Sequence, residues 1–186
     1  MTDFLELARD RYSERRFSDR PIEDEKLARI LEAGQYAPTA ENKQPQRILV
    51  VRGEEALSRM DKCTRCRFGA PVVLVVAYDM TDAARNPDVL DYGVVDSAIV
   101  ADHMSLEAAE LGVHSCWVGL IDPSELRRQF DIPREYRVVC VMPLGYPSER
   151  SRPSRLHKRR KELAETVFFD TYVQPDADDS PASPAK

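Results

Sequence analysis

The chain has 186 residues, 42% of them hydrophobic, with 32 acidic against 27 basic side chains and a formal charge of −5. That length fits a single domain burying roughly 70% of its unfolded surface, and the acidic balance gives no general reason to expect nucleic acid or an anionic membrane as a partner. No apolar run approaches the roughly 20 residues that span a bilayer, and the opening MTDFLELARDRY is too charged for a signal peptide, so the expected address is the cytoplasm.

Asp3 to Asp10 reads as a short helix with Phe4, Leu5, Leu7 and Ala8 inward. After the arginine-rich RYSERRFSDRPI, the stretch EDEKLARILEAGQYA predicts a second helix opened by Glu23 or Asp24. Its inner face is Leu27, Ile30, Leu31, Ala33 and Gly34, and Pro38 stops it. APTAENKQPQ is a polar loop, Arg47 to Gly53 a strand and Glu54 to Lys62 a short helix. Ala70 to Asp79 is apolar without alternation, as a central strand covered on both faces should be. Met80 to Leu90 reads as an irregular connection.

Tyr92 to Gly112 predicts a long helix on which Asp96, His103, Glu107 and Glu110 share one narrow polar stripe. Asp102 falls on its apolar side. Ala98, Ala101, Ser105, Ala108 and Gly112 leave a groove for a closely approaching backbone, from a helix of the same chain or from a partner subunit. VHSCWVG (113–119) is then a short apolar strand, and Pro123 to Phe130 an amphipathic helix capped by Asp122. Val138 to Leu144 is another buried strand, ended by a Gly-Pro turn. Glu162 to Tyr172 predicts a last helix or an extended arm, with Val167, Phe168, Phe169 and Tyr172 as an apolar patch that needs cover. Gln174 to Lys186, rich in Pro, Ser, Asp and Ala, reads as a disordered tail after a domain spanning 1–173. Strands alternate with helices, which predicts a sheet with helices on both faces.

Several constellations could carry chemistry. In an extended RYSERRF, side chains two apart point the same way, so Arg11, Ser13 and Arg15 converge as a cradle for phosphate or carboxylate. The alternative is a solvated basic run. A second basic cluster spans Arg150 to Lys161. Alone it could be an RNA-binding tail or a charged linker, but it lacks interleaved aromatics, and one compact anionic ligand shared with the first cluster accounts for both. In the loop Pro38 to Pro45, Thr39, Asn42 and Gln44 offer donors and acceptors suited to a heterocycle or a polyol, or simply form a turn. Cys63-x2-Cys66 is half a zinc site or a redox pair. Cys116 and Cys140 sit singly in apolar strands and complete it poorly, so no metal is expected. Only 7 glycines are present and no glycine-rich phosphate loop occurs. No side chain is arranged as a catalytic nucleophile with its base.

RYSERRF, then PTAENKQPQ, then a long small-residue helix ending in ELGVHSCWVG, then PLGYP and a late basic RRKEL together resemble the FMN-dependent nitroreductase family, over Phe4 to Tyr172. The resemblance implies an α+β fold: a three-layer sandwich with a central, largely antiparallel sheet flanked by helices. It also implies an intertwined homodimer with FMN at the subunit interface, the long helix forming much of that interface and the C-terminal arm embracing the partner. Carried over residue by residue, Arg11, Ser13 and Arg15 match phosphate and ribityl contacts, with Tyr12 between them adding backbone contacts. Pro38, Thr39, Ala40 and Asn42 match a loop that reaches the flavin from the other subunit. Val118 and Gly119 match the backbone beside the reactive edge of the ring, and Lys158 and Arg160 the late basic phosphate contacts. The implied activity is hydride transfer from NADH or NADPH through FMN to a nitroaromatic, quinone or activated alkene, with no side chain named as catalytic. Two alternatives are a flavin-binding or sensing protein with little turnover and a nucleic-acid adaptor using the 150–161 segment.

Overall fold

A computed structural model describes residues 3–86 and 90–172. The chain divides into two compact units, Met1–Ser154 and Arg155–Lys186. In the first, a four-stranded sheet runs in the order β1-β2-β6-β5, and every paired strand is antiparallel to its neighbour. The strands are β1 (Gln46–Arg52), β2 (Val72–Asp79), β5 (His114–Ser115) and β6 (Tyr136–Gly145). A two-residue pair, β3 (Arg85–Asn86) with β4 (Leu90–Asp91), stands apart from it.

β2 lies in the middle of the sheet and all eight of its residues are buried, as its unbroken apolar run predicts. Alternation then sorts the core into two layers. Val72, Leu74 and Val76 join Cys140, Met142 and Leu144 beneath α2 (Asp24–Gln35) and α4 (Tyr92–Glu110). Val73, Val75 and Val141 face the other way, under α3 (Glu54–Cys63) and α5 (Pro123–Phe130). Burying each such side chain is worth ~1.5–3 kcal/mol relative to exposure, so the two layers together hold the sheet flat between helices. The architecture is the expected three-layer α+β sandwich. Between Val76 and Ala77 the β2–β6 register slips: Val76 pairs with Cys140 but Ala77 with Val138, so Val139 is an extra residue, a β-bulge.

α2 packs along α4, and the small residues of α4 serve this contact within the chain: Ala101 and Ala108 are buried with Leu27 and Ile30. The closest approach comes from α2 itself, where a Cβ at Gly34 would come within 2.8 Å of the Met104 side chain. At Gly93 the fit is tighter still, since a Cβ there would lie 2.2 Å from the Tyr78 ring.

Four expectations need correction. In α1 (Phe4–Asp10) only Leu7 and Ala8 turn partly inward, while Phe4 and Leu5 are exposed; the helix is two turns long and lies at the rim. On α4, Asp102 is exposed rather than on the apolar side, while Asp96, on the polar stripe, is buried. The strand expected over 113–119 is only His114–Ser115 plus an isolated bridge at Val118, because Trp117 turns out to solvent between them. In the second unit the last element is a single 3-10 turn, Leu163–Glu165, closed by a capping box between Glu162 and Glu165. Within that unit Phe169 and Tyr172 stay exposed. The proposed disordered tail lies outside the described residues.

Candidate functional site

The stretch Arg11 to Phe17 leaves α1 as an extended strap laid against the sheet. Ser13 bridges Ser115 in parallel, and the Glu14 N–H donates to the Ser115 carbonyl at 2.9 Å. Further on, Phe17 bridges Pro147, and the Ser18 N–H donates to the Tyr146 carbonyl at 2.9 Å. Extension gives the period of two that the sequence implied. After Ser115 comes the buried Cys116 thiol, which burial pushes up while Arg15, a hydrogen bond with Ser13 and Arg11 pull against it. The Arg15 guanidinium folds back to donate to the Ser13 carbonyl at 3.2 Å. Two cations and a hydroxyl thus fall within five residues of a pinned strand, a donor set suited to a phosphate monoester.

Tyr12 and Glu14 occupy the other side of the strap. Glu14 is 1% exposed and takes the Tyr12 hydroxyl as donor at 3.0 Å. Burial pushes the Tyr12 phenol up, so it remains a donor at neutral pH. Its ring stands edge-on to His114 at 4.9 Å. Burial pushes His114 below its ordinary value, opposed by the nearby Glu14, so this imidazole is neutral at pH 7. Leu7, Asp10, Ser105 and Glu110 close a cleft of about 200 Å³ around Tyr12 and His114.

Beyond Cys116 the chain presents Val118 and Gly119. Val118 exchanges both main-chain hydrogen bonds with Val141, at 2.9 and 3.0 Å, so its own N–H is committed to the sheet. Gly119 is exposed, and a Cβ built on it would meet nothing within 4 Å. Of this pair, Gly119 is the residue against which a flat ring could lie.

The loop after α2 is held differently. Glu41, Asn42 and Gln44 all take positive φ (53°, 55° and 49°), a backbone region that costs non-glycine residues ~1 kcal/mol or more. Thr39 accepts the Gln44 N–H at 3.0 Å, and the Gln44 side chain donates to Asn42. From below, the buried Asp96 accepts the Ala40 N–H at 2.9 Å. Its second oxygen and the neighbouring Ser97 hydroxyl are buried without a partner among the described residues. Pro38 is exposed and Thr39 and Ala40 half-buried.

Lys158 and Arg160 belong to the second unit. Both are exposed there, and Arg160 donates to the His157 and Arg159 carbonyls. Among the cysteines, Cys63 is the last residue of α3, with its thiol pushed up to about 11, by burial and then by Glu125 and Asp122. All four cysteines are free, and no group of metal-ligating side chains occurs among the described residues. Reasoning from sequence missed Glu14, Asp96 and Ser151, each buried beside the site.

The model of the Nitroreductase family matches residues 8–67 and 65–146. The chain belongs to the nitroreductase family. A relative from Archaeoglobus fulgidus, named for NADH dehydrogenase/NAD(P)H nitroreductase activity, is 31% identical over 173 residues, covering 86% of this chain and 99% of its own. A nitroreductase family protein from Clostridium difficile 630 superposes with a TM-score of 0.85 at 35% identity, over 91% of this chain and 99% of that one. The crystal structure of a nitroreductase-like protein from Exiguobacterium sibiricum, solved in complex with FMN, shares the fold with a TM-score of 0.79 at 20% identity, over 91% of this chain and 98% of that one. In this nitroreductase the matched residues include the strap, the 38–45 loop and the Val118–Gly119 corner.

Proposed function

We propose that this chain is an FMN-dependent oxidoreductase that oxidises NADH or NADPH and reduces a small acceptor such as a nitroaromatic, quinone or activated alkene. The observation that carries the reading is a strap fixed to the sheet edge, on which Arg15 folds back to the Ser13 carbonyl and Arg11 stands two residues before it. Two guanidinium groups and a hydroxyl fit the phosphate of FMN. The backbone of Tyr12 fits beside it, and the open face at Gly119, next to Val118, suits a planar ring. Bound FMN supplies the two-electron chemistry that links reductant to acceptor. The chain's residues bind and orient: the arginine row fixes one end of the cofactor, and the Gly119 backbone approaches the ring without a side chain in the way.

The reading extends to two copies of the chain over a single domain, 1–173. Pro38, Thr39, Ala40 and Asn42 of one protomer then complete the ring site of its partner. The names of the relatives support the reductant and the cofactor, since one is named for NAD(P)H and another was crystallised with FMN. The test is direct. Purified protein supplied with FMN and desalted should be yellow, release FMN on denaturation, and bleach under anaerobic NADH or NADPH. A protein that stays colourless after FMN is supplied overturns the proposal. One that binds FMN but never bleaches is a flavin-binding protein without this activity.

A further inference from the structure

We infer that Glu14 is a positioning residue for the phosphate end of the site, an inference that rests on the reading of Arg11, Ser13 and Arg15 as the FMN cradle. Glu14 lies inside an arginine run, where an acid would ordinarily be solvated and paired with its neighbours. Instead it is 1% exposed and enclosed by hydrogen-bond donors. Oε1 accepts the main-chain N–H of Arg15 at 2.8 Å and of Arg16 at 2.7 Å. The Ser151 hydroxyl lies 2.7 Å from Oε1 and 2.6 Å from Oε2, and the Tyr12 hydroxyl donates to Oε2 at 3.0 Å. A buried carboxylate demands such satisfaction, and here every donor belongs to the strap or to the segment after β6.

The geometry determines what the cluster does. The carboxylate curls back onto the next two main-chain N–H groups, so the direction in which the Arg15 side chain leaves the backbone is set by where that carboxylate sits. Ser151 fixes the carboxylate from 137 positions away. The same carboxylate holds Tyr12, whose backbone lies between Arg11 and Ser13. Glu14 therefore spaces the whole row from behind while touching none of its ligand-facing atoms. Its charge is not the useful property, because an anion behind a phosphate site weakens anion binding if it does anything. Shape and acceptor capacity are what the row needs.

The test compares FMN with riboflavin, which lacks the phosphate, by fluorescence titration of the flavin-free full-length protein. For Glu14→Ala, FMN affinity should fall roughly tenfold with riboflavin affinity within about twofold, because misplacing the row costs the phosphate contacts alone. Glu14→Gln keeps the shape and the oxygen that accepts the Arg15 and Arg16 N–H groups, its NH2 turning to the Tyr12 and Ser151 hydroxyls, and should keep the FMN-to-riboflavin preference within about threefold. A merely structural role would lower both affinities together, or only the melting temperature. If Glu14→Ala does not fold, Tyr12→Phe combined with Ser151→Ala removes the hydroxyls that hold the carboxylate and should lower the same ratio by a smaller factor. A preference for FMN that survives both Glu14→Ala and the double variant overturns the inference alone, as does an equal fall in Glu14→Ala and Glu14→Gln. Wild-type protein showing no preference for FMN over riboflavin overturns the cradle reading and this inference with it.

Discussion

The strap at 11–18 and the loop at 38–45 are both assigned to one cofactor, yet they are held in opposite ways. The strap is extended, bonded to β5 and to the end of β6, and backed by a buried carboxylate with four donors. The loop carries three left-handed non-glycine residues and is tied by the Asp79 N–H to its Pro45 carbonyl and by its Ala40 N–H to the buried Asp96, whose other oxygen has no partner among the described residues. The carboxylate behind the strap has both oxygens engaged, whereas the one beneath the loop keeps one oxygen unused among the described residues.

The largest effect should come from the strap. Replacing Arg11 and Arg15 together with Ala removes two charge-assisted contacts of ~1.5–3 kcal/mol each, so FMN affinity should drop at least about a hundredfold. Thermal melts should barely move, because Arg15 is exposed and Arg11 only half-buried. Retained affinity would break the comparison at its firmer half.

Asp96→Ala probes the other half. It strips the Ala40 N–H of its acceptor, at a cost of about 1 kcal/mol in denaturant unfolding, and should weaken FMN binding by no more than about tenfold. A loss as large as that of the arginine pair would mean the loop recognises the phosphate as well. Smaller again, Glu41→Gly relieves a positive φ of 53° and should stabilise the fold by about 0.5–1 kcal/mol, raising the melting temperature by roughly two degrees. No gain would show that the left-handed turn is not strained.

The smallest effect concerns the far end of the strap, where Ser18 bonds Tyr146. A hydrogen bond from Tyr146, the residue's own N–H and the Arg20 ion pair hold the Glu23 carboxyl down at about 2, from an ordinary 4.5. A depressed folded value means stability present above pH 4.5 and lost as pH falls towards 2. Glu23→Gln should lower the melting temperature slightly at neutral pH, flatten the acid limb of the profile in that window, and converge with the unsubstituted protein near pH 2.

The sheet was legible from sequence because its signal is local. A short β-branched apolar run without alternation reads as a doubly covered strand, and β2 is buried along its whole length. The Asp122 cap was equally plain, and the structure has it accepting from Ser124 and Glu125. Glu14 was not legible: an acid among four arginines looks solvated, and its decisive partner, Ser151, is remote in the chain. Asp96 failed for a related reason, since helical periodicity gives a polar stripe but not what lies over it. Thr39, Asn42 and Gln44 announced a turn, while the handedness at Glu41 depends on the loop's anchoring and not on its composition. The strand expected over 113–119 broke at Trp117, whose exposure no hydropathy pattern encodes.

The extra residue at Val139 has a consequence for anyone editing this chain. Counting by twos from Cys140 would send Val138 and Tyr136 towards α2 and α4; the bulge reverses the parity, so Val138 packs with the α3–α5 layer and Tyr136 comes under the Arg47 guanidinium, 5.6 Å from its ring centre. β6 is thus written in two reading phases joined at one position. Deleting Val139 would close the bulge into a regular ladder and leave Val138 and Tyr136 on their present faces, whereas keeping the residue count and straightening the strand would turn its outer end over.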